Sequence, residues 1–489
     1  MSSLTGRLQD STLLKTQSFV DNHWVSADSA IKLDVTNPAN GDLVATVACA
    51  DQHLARVAIA SAERAQSGWR RMSSKARSET LRRWHDLMLA NADDLATILT
   101  LEQGKPIREA RAEIRYAAAY IEWFAEEAKR VYGDVIPAPS EDKRIVCLKE
   151  PIGVVAAITP WNFPCAMITR KAAPALATGC SIVIKPALET PLSALALAEL
   201  ARRAGVPGGV LNVLVGENEE IGPELTSNPV VRKLSFTGST RVGKILQKAC
   251  SSTLKRTSME LGGNAPFIVF EDADLEAAVT GALTSKYRNS GQTCVGSNRF
   301  FVHEDIYTDF IERLSASLTN IKLGNGLDPD TDMGPLITNQ AIEKVDRLVN
   351  HAIEQGARLA SGGSRSSVGE LFYKPTVLAD VTSDMAICDM EIFGPVMPVI
   401  RFTTEEEVVA AANDSEFGLA SYVYTRDIGR VWRVAEALEY GMVGINEGAI
   451  SNEMAPFGGV KQSGFGREGS KYGVEDYLEI KYVLMGGLT

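Results

Sequence analysis

The sequence predicts an α/β protein with two regions of parallel sheet. The first region runs from residue 153 to residue 236, where the short apolar strands GVVAAIT, SIVIK, GVLNVLV and KLSF are bounded by glycine or proline and separated by helical stretches. The second begins at APFIVF and continues to a strand near 395–402. Strands that alternate with helices at this spacing form parallel sheets with helices on their faces.

The segments outside these two regions differ in pattern. Residues 51–68 and 76–131 have apolar positions at helical spacing, and Asp51 is a plausible cap for the first helix. Residues 142–149 and 475–485 are extended in pattern, so they could pair with each other or with another subunit. A chain of 489 residues exceeds what one hydrophobic core supports, and two or three domains are expected.

Charge and composition exclude several classes of partner. The formal net charge is −11, from 50 basic and 61 acidic residues, which argues against nucleic acid or an anionic membrane as a general partner. The most apolar stretch, about 151–184, is interrupted by three prolines and an Arg-Lys pair, so no membrane span is expected. The N-terminus lacks the apolar run of a secretory signal, and we expect a cytoplasmic protein.

The seven cysteines indicate a reducing compartment. Their number is odd and no pair has CxxC spacing, so neither a disulfide framework nor a zinc ribbon is expected, and we predict no metal site. Cys294 differs from the other six because it lies in the polar loop RNSGQTCVGSN between Gly291 and Gly296. Such an accessible loop favours a reactive thiol, whereas we interpret the other six as small buried hydrophobes.

Two polar residues follow predicted strands and carry candidate chemistry. Glu260, in SMELGGNAP, could act as a general base, although a glutamate at a strand end is most often a solvated charge. Asn162, in TPWNFPC, could donate to an oxyanion or form an Asx turn before the next helix. The local sequence leaves both alternatives open for each residue.

A phosphate-binding loop is indicated at 236–244, FTGSTRVGK, where a strand meets a helix. The helix N-terminus after Gly238 and Ser239 could hold a pyrophosphate. Ile245 stands where a Walker loop has the hydroxyl residue that binds magnesium, which argues against a nucleoside triphosphatase. Lys185 ends the strand SIVIK, so it lies either at the ligand edge of the sheet or on the surface as a strand cap.

The motifs TPWNFP, KPA, FTGST, ELGGNAP, GQTC, EIFGP and PFGGVKQSG occur in this order and span nearly the whole chain. Together they resemble the aldehyde dehydrogenase superfamily. In more detail, AAITPWNFPCAMITRKAAPALATGC and ALEYGMVGINEG resemble the succinate-semialdehyde dehydrogenases and their glutarate-semialdehyde relatives. The resemblance implies the aldehyde dehydrogenase fold, with two parallel-sheet α/β domains and a small β unit for oligomerisation as a dimer or tetramer. The domains expected are cofactor-binding (1–127 and 151–262), catalytic (263–465) and oligomerising (128–150 and 466–489).

The resemblance also implies a mechanism. The Cys294 thiolate would attack the aldehyde carbon, and the Asn162 amide with the Cys294 backbone N–H would hold the oxyanion. Hydride transfer to NAD or NADP would leave a thioester, which water activated by Glu260 would hydrolyse. The residues implied to hold the cofactor are Trp161, Lys185, Gly238, Ser239, Glu391 and Phe393.

The substrate implied is a semialdehyde with a second carboxylate. Arg170, Arg288 and Ser451 match the residues that hold the distal carboxylate in the succinate-semialdehyde group. Two charge-assisted contacts of roughly 1.5–3 kcal/mol each would discriminate against neutral aldehydes. The alternative is that either arginine pairs with a carboxylate of the protein.

Two positions depart from the patterns of the group. Some members carry Cys-x-Cys at the nucleophile, but Gly296 here removes that local disulfide switch. Relatives that prefer NAD often have Glu three residues after the lysine that binds the ribose, and some that prefer NADP have Ser. Leu188 stands there in this chain, which removes a repulsion against a 2′-phosphate and favours NADP slightly over NAD.

Other functions remain as alternatives. Within enzymes these are a glutarate-semialdehyde dehydrogenase, a broader aldehyde dehydrogenase, or a cysteine hydrolase that pairs Cys294 with a histidine. None of the five histidines lies in a Gly-rich loop motif, which argues against the hydrolase. A non-catalytic protein on the same scaffold need not retain Cys294, Glu260 and Asn162 together.

Overall fold

A computed structural model of the protein describes residues 6–27 and 31–488. The described residues do not include 1–5, 28–30 and 489. The first of these ranges belongs to the N-terminal segment in which no secretory signal is expected, and all three belong to predicted domains. The helices in the described part are α1 (Gln52–Arg71), α2 (Ser74–Ala90), α3 (Ala92–Gln103), α4 (Ile107–Glu127), α5 (Ala166–Thr178), α6 (Pro191–Arg203), α7 (Asn218–Ser227), α8 (Thr240–Cys250), α9 (Leu275–Tyr287), α10 (Tyr307–Leu318), α11 (Asn339–Glu354), α12 (Ala386–Asp389), α13 (Glu405–Asn413) and α14 (Ile428–Ala437).

The strands of the described residues form three larger sheets and two separate antiparallel pairs, β3–β4 and β17–β20. They are β1 (Ser18–Val20), β2 (His23–Val25), β3 (Lys32–Thr36), β4 (Leu43–Ala48), β5 (Asp134–Ile136), β6 (Arg144–Pro151), β7 (Val154–Ile158), β8 (Ser181–Lys185), β9 (Leu211–Val213), β10 (Val231–Thr237), β11 (Arg256–Glu260), β12 (Ala265–Val269), β13 (Ser297–His303), β14 (Arg358–Ser361), β15 (Thr376–Val381), β16 (Val396–Phe402), β17 (Phe417–Gly418), β18 (Ala420–Tyr424), β19 (Met442–Ile445), β20 (Val460–Lys461), β21 (Gly464–Phe465) and β22 (Leu478–Met485).

The first sheet has the order β2-β1-β9-β8-β7-β10-β11-β21, and its five inner strands from β9 to β11 are parallel. Among the parallel strands, the chain forms the central strand β7 first, adds β8 and β9 on one side, and then returns to add β10 and β11 on the other. The strand order therefore reverses between β7 and β10, where open α/β sheets bind ligands beyond the carboxyl ends of their strands. The strands predicted from GVVAAIT, SIVIK, GVLNVLV and KLSF are all confirmed.

The second sheet has the order β14-β15-β16-β13-β12-β18-β19 and is parallel except for the pair β14–β15. The strands predicted at APFIVF and near 395–402 are confirmed as β12 and β16, and RFFVHE between them forms β13. The prediction did not identify β14, β15, β18 and β19. The central strands of both sheets are buried, as expected for sheets covered by helices on both faces.

A third sheet, β22-β6-β5, is antiparallel and lies apart from the other two. The two extended segments of the sequence pair with each other, because β6 and β22 run antiparallel from Leu478 opposite Pro151 to Met485 opposite Arg144. Residues 475–477, predicted as extended, belong instead to a 3-10 helix (Lys471–Tyr477). One edge of this sheet is β5, whose three residues are all exposed.

The helical stretch predicted over 76–131 is broken in two places. Asn91 separates α2 from α3, and residues 104–106 separate α3 from α4. Gly104 adopts a left-handed conformation with φ of 94°, and Pro106 cannot donate to the preceding turn, so both end the helix. The predicted cap of α1 is confirmed, since Asp51 accepts a hydrogen bond from Leu54 N at 2.8 Å. In the described part of the chain no helix is long and apolar enough to cross a membrane.

The chain passes from the first sheet to the second through residues 261–264. Gly263 lies so close to the loop of Cys294 that a Cβ atom there would be 2.3 Å from the Cys294 carbonyl oxygen. A glycine is required at this position because any side chain would collide with backbone.

We predict that Gly263→Ala destabilises the protein by about 1–3 kcal/mol, the usual cost of forcing an extra methyl group into a packed region. Thermal unfolding followed by circular dichroism measures the change. Gly222→Ala is the matched control, because a Cβ there meets nothing within 4 Å. Equal unfolding temperatures for the two variants would contradict the prediction.

Candidate active site

Four of the residues singled out in the sequence lie at the carboxyl edge of the first sheet. Lys185 and Glu260 end β8 and β11, and the loops of Asn162 and Ser239 follow β7 and β10. The register places Ile158 opposite both Lys185 and Phe236, and Thr237 opposite Glu260. The loops after β7 and β10 therefore begin at the same level as Lys185 and Glu260. The sequence does not show how close these residues are to one another in space. Parallel pairing brings the ends of β7, β8, β10 and β11 together.

The loop of Cys294 comes from the second sheet and is strained. Asn289 and Ser290 have φ of 52° and 58°, and Gly291 has φ of 76°, so three successive residues are left-handed. Non-glycine residues in this region cost about 1–3 kcal/mol each and are retained where the surroundings hold them. Ser290 Oγ donates to the Gly334 carbonyl at 2.8 Å, and a Cβ on Gly291 would lie 2.2 Å from the Gly394 carbonyl oxygen.

Asn162 is buried and faces the Cys294 loop. Its Nδ2 donates to the Gln292 carbonyl at 3.0 Å, and its own carbonyl accepts from Asn289 Nδ2 at 3.0 Å. The structure therefore does not use its side chain for the Asx turn that the sequence left open. Since the amide carries two hydrogens and one is engaged by Gln292, one donor remains.

Cys294 is only half-buried, but its thiol lies in a desolvated setting. Burial first, with smaller contributions from Glu391 and Glu260, raises the pKa of Cys294 to about 12, and Arg170 and Arg288 oppose the shift. The thiol is therefore protonated at neutral pH in the absence of a ligand. No disulfide links any of the seven cysteines, and five of the other six are buried as predicted, whereas Cys147 is half-buried in β6.

Glu260 ends β11 and is buried, and neither of its carboxyl oxygens has a hydrogen-bond partner in the part of the chain that the structure describes. Burial and the nearby Glu468 carboxylate raise the pKa of Glu260 well above its ordinary value, although Arg170 and Lys171 oppose the shift. The interpretation of Glu260 as a solvated strand-end charge is therefore wrong. A buried carboxyl group with a raised pKa is a stronger base once it loses its proton.

The loop at 236–244 joins β10 to α8, as the sequence predicts. Ser239 caps α8, where its hydroxyl accepts from Val242 N at 3.4 Å, and Gly238 N donates to the Glu260 carbonyl at 3.0 Å. Lys185 is 2% exposed, so the alternative of a surface lysine is wrong. Burial lowers the pKa of Lys185, and nearby glutamates, Glu189 first, oppose the shift.

Glu391, Phe393 and Trp161 lie together across the gap between the two sheets. Glu391 Oε1 accepts from Gly263 N at 3.1 Å, and burial raises the pKa of Glu391 to about 7. Phe393 is left-handed with φ of 55°, and its ring meets Trp161 edge-on at 5.6 Å between centroids. Glu391 is half-buried, and residues in such sparsely populated backbone conformations as that of Phe393 cluster at functional sites.

The two arginines predicted to hold a carboxylate differ in their surroundings. Arg170, on α5, is 2% exposed, and its Nε lies 2.6 Å from Glu468 Oε2, so the alternative of a protein partner is observed for this residue. Its guanidinium stacks on Phe457 at 3.9 Å, and its Nη2 is buried without a hydrogen-bond partner.

Arg288 behaves differently, because its guanidinium forms no ion pair or hydrogen bond with any residue that the structure describes. Its nearest aromatic contact is Phe163, at 5.0 Å from the ring centre. Arg288 and Ser451 line one small cavity, together with Thr293 and Val295 on either side of Cys294. Arg288 is therefore a cation without an ion-pair partner among the described residues, and it is close enough to Cys294 to lower the pKa of the thiol.

Sequence reasoning missed several buried charges around these loops. Lys105 Nζ bonds Glu113 Oε2 at 2.6 Å and the Asn162 carbonyl at 2.8 Å, and Glu468 contacts both Arg170 and Lys171. The sequence Gly-Lys-Pro at 104–106 was the available signal, since two helix-breaking residues flank a charge inside a helical region. No local pattern marks Glu113 or Glu468.

Comparison with known proteins gives a consistent result. The sequence matches the aldehyde dehydrogenase family over residues 24–483. A glutarate-semialdehyde dehydrogenase of Pseudomonas aeruginosa is 56% identical over 99% of this chain and 100% of its own length. An NADP(+) succinate-semialdehyde dehydrogenase of Escherichia coli is 56% identical over 98% of this chain and 100% of its own length.

Solved structures agree with the fold described above. The crystal structure of a succinate-semialdehyde dehydrogenase from Burkholderia pseudomallei is 58% identical and superimposes with a TM-score of 0.97, covering 98% of this chain and 99% of that one. Two parallel sheets bring Cys294, Asn162 and Glu260 together, and a separate small antiparallel sheet completes the fold. Because the family match also covers most of the sequence, this chain belongs to the aldehyde dehydrogenase family.

Proposed function

We propose that this protein oxidises succinic semialdehyde to succinate with NADP or NAD as the hydride acceptor. The observation that carries the proposal is the unpaired Arg288 guanidinium in the cavity beside Cys294, with Ser451 in the same wall. A carboxylate is the natural partner for such a cation. Glutaric semialdehyde has the same functional groups and is the second candidate, which the Pseudomonas relative supports.

The residues at the junction suit a dinucleotide. The N-terminus of α8 with Ser239 would bind the pyrophosphate, and the buried ammonium of Lys185, whose best contact is the Pro186 carbonyl at 3.5 Å, would bind the adenosine ribose. Glu391 would bind the nicotinamide ribose, with Phe393 and Trp161 beside the ring. When bound, the cofactor supplies the hydride acceptor.

The residues of the chain itself perform the remaining chemistry. The Cys294 thiol loses its proton to solvent as its sulfur adds to the aldehyde carbon. The resulting oxyanion accepts from the free hydrogen of Asn162 Nδ2 and from the Cys294 backbone N–H, which has no other acceptor in the described residues. Loss of hydride from that carbon leaves a thioester. Glu260 then takes a proton from water, which adds to the thioester and releases the acid and the thiol.

The substrate carboxylate would contact Arg288 and Ser451, and Arg170 Nη2 is a third candidate donor because it is buried without a partner. Glu468 fixes Nε of Arg170 and leaves Nη2 available. Arg170 would therefore both pair with Glu468 and reach the substrate.

The cofactor preference we propose is NADP over NAD, with use of both. Leu188 leaves the cofactor region without the carboxylate that would repel a 2′-phosphate, and the Escherichia coli relative is named for NADP(+). Glu189, Glu217 and Glu219 lie near Lys185 and weaken this preference.

The assembly we propose is a cytoplasmic homodimer or homotetramer built on the third sheet, with the first sheet forming the cofactor-binding domain and the second the catalytic domain. The third sheet exposes an unusual amount of apolar surface for a monomer. Light scattering of the native protein tests the assembly, and a monomer would contradict it. The exposed residues are Val135, Ile136, Leu148, Ile480, Tyr482, Leu484 and Met485.

The function is tested by kcat/KM for succinic semialdehyde, glutaric semialdehyde and hexanal, each with NADP and NAD, followed by absorbance at 340 nm. We expect the two semialdehydes to exceed hexanal by about tenfold or more, since one charge-assisted contact contributes about 1.5–3 kcal/mol. Equal values for all three aldehydes would contradict the substrate class. Ester hydrolysis without cofactor reduction would favour the cysteine hydrolase instead.

We predict that Arg288→Ala raises KM for succinic semialdehyde about 10- to 100-fold and leaves hexanal kinetics within about twofold, because the lost contact is made by the carboxylate alone. Arg426→Ala is a control for loss of an arginine, because Arg426 is exposed and pairs with Asp274 away from the site. Parallel losses on both aldehydes would contradict the role of Arg288.

The raised pKa of Cys294 predicts how its reactivity depends on pH. Only the thiolate reacts, so below a pKa of about 12 its fraction rises with pH. We expect the rate of alkylation of Cys294 by iodoacetamide, without cofactor, to rise about tenfold per pH unit through the neutral and mildly alkaline range. Peptide mass spectrometry separates Cys294 from Cys147. A plateau near neutral pH would show an unshifted or lowered pKa.

A further inference from the structure

We infer that Glu109 and Glu113 of α4 are positioning residues that hold the Asn162 and Cys294 loops in register. They lie one turn apart on the same helix, and each carboxylate binds a different catalytic loop. We call this pair the acid clamp. The inference rests on the proposed function, since it concerns the oxyanion formed when Cys294 adds to an aldehyde.

Glu113 holds the loop of Asn162. Its Oε1 accepts from Cys165 N at 2.9 Å and from Ala166 N at 3.3 Å, where α5 begins, and its Oε2 accepts from Lys105 Nζ at 2.6 Å. The same ammonium donates to the Asn162 carbonyl at 2.8 Å. Glu113 is 3% exposed and Lys105 is 2% exposed, so water does not compete for these bonds. Both carboxyl oxygens are therefore occupied.

Glu109 holds the loop of Cys294. Its Oε2 accepts from Asn289 N at 2.8 Å, at the first residue of the left-handed turn. Asn289 and Ser290 would relax to right-handed conformations if nothing held them, because their side chains make the left-handed region unfavourable. Relaxation of this turn would move the thiol, which follows within five residues.

The two loops need such a clamp because they belong to different sheets. Asn162 follows β7 of the first sheet and Cys294 precedes β13 of the second, so no strand pairing fixes their separation. Among the described residues, the loops bond each other through the Asn162 amide, which donates to the Gln292 carbonyl, and the Asn289 amide, which donates to the Asn162 carbonyl. Helix α4 contacts both loops, and it therefore sets the distance between the oxyanion donor and the sulfur, to which rate is sensitive on the scale of 1 Å.

Three variants separate positioning from general stability. Glu109→Ala removes the acceptor of Asn289 N, whereas Glu109→Gln keeps one. Glu113→Gln leaves a single acceptor oxygen where two are in use. We expect kcat to fall about 10- to 100-fold in Glu109→Ala and Glu113→Gln and to stay within about threefold in Glu109→Gln. Glu199→Ala is the matched control, since Glu199 is buried on α6 and pairs with Arg202 and Arg203 far from these loops.

Alkylation of Cys294 by iodoacetamide supplies the second measurement. Displacement of iodide at carbon forms no oxyanion, so loss of alignment with Asn162 should slow turnover but leave the alkylation rate of Glu109→Ala within about threefold of wild type. A merely structural role would change both rates together. Unfolding temperatures identify any variant that does not fold, and Glu113→Gln, which keeps the size of the side chain, then remains the deciding comparison with wild type.

Three results would overturn the acid clamp: unchanged kcat in Glu109→Ala and Glu113→Gln, parallel loss of turnover and alkylation, or equal loss in Glu109→Gln and Glu109→Ala. An inactive wild-type protein would instead overturn the proposed function itself. An active wild type with unaffected variants would overturn the clamp alone.

Discussion

The hydrogen-bonded register of the parallel strands β8, β7, β10 and β11 is the constraint on which the site depends. Because the strands run in the same direction and pair level with one another, the loop before Asn162, the ammonium of Lys185, the cap of α8 and the carboxyl group of Glu260 meet at one edge. A shift of one residue in any pair would turn the last side chain of that strand to the other face. The correct register of these strands is therefore needed to bring the groups of the site together.

The second sheet faces this edge and completes the site with residues that no strand pairing to the first sheet can place. Cys294 and Phe393 reach the junction on loops that contain left-handed, non-glycine residues. Such conformations persist only where neighbouring groups hold them. Here the neighbouring groups are glycines, which allow close backbone contact, and side chains that form hydrogen bonds with the loops. The strained residues therefore lie in the loops whose positions the chemistry requires to be fixed.

Buried charges dominate the electrostatics of the junction. Desolvation raises the pKa of Cys294, Glu260 and Glu391, which disfavours the charged form of each group in the ligand-free protein. Arg170 opposes this effect on Cys294 and Glu260 but is itself engaged by Glu468. Arg288 has no such partner among the described residues, and this asymmetry makes it the better candidate for the substrate carboxylate.

The sequence by itself determined the fold class, four of the eight strands of the first sheet and the identities of Cys294, Asn162 and Glu260 as candidates. It could do so because hydrophobic periodicity and glycine-flanked motifs are local signals. It could not choose between a surface and a buried Lys185, or between an Asx turn and an oxyanion donor for Asn162. It also missed Glu109, Glu113 and Glu468. The burial of these side chains and their hydrogen bonds and ion pairs involve residues more than 40 positions away in the chain. Only the tertiary structure brings such residues into contact.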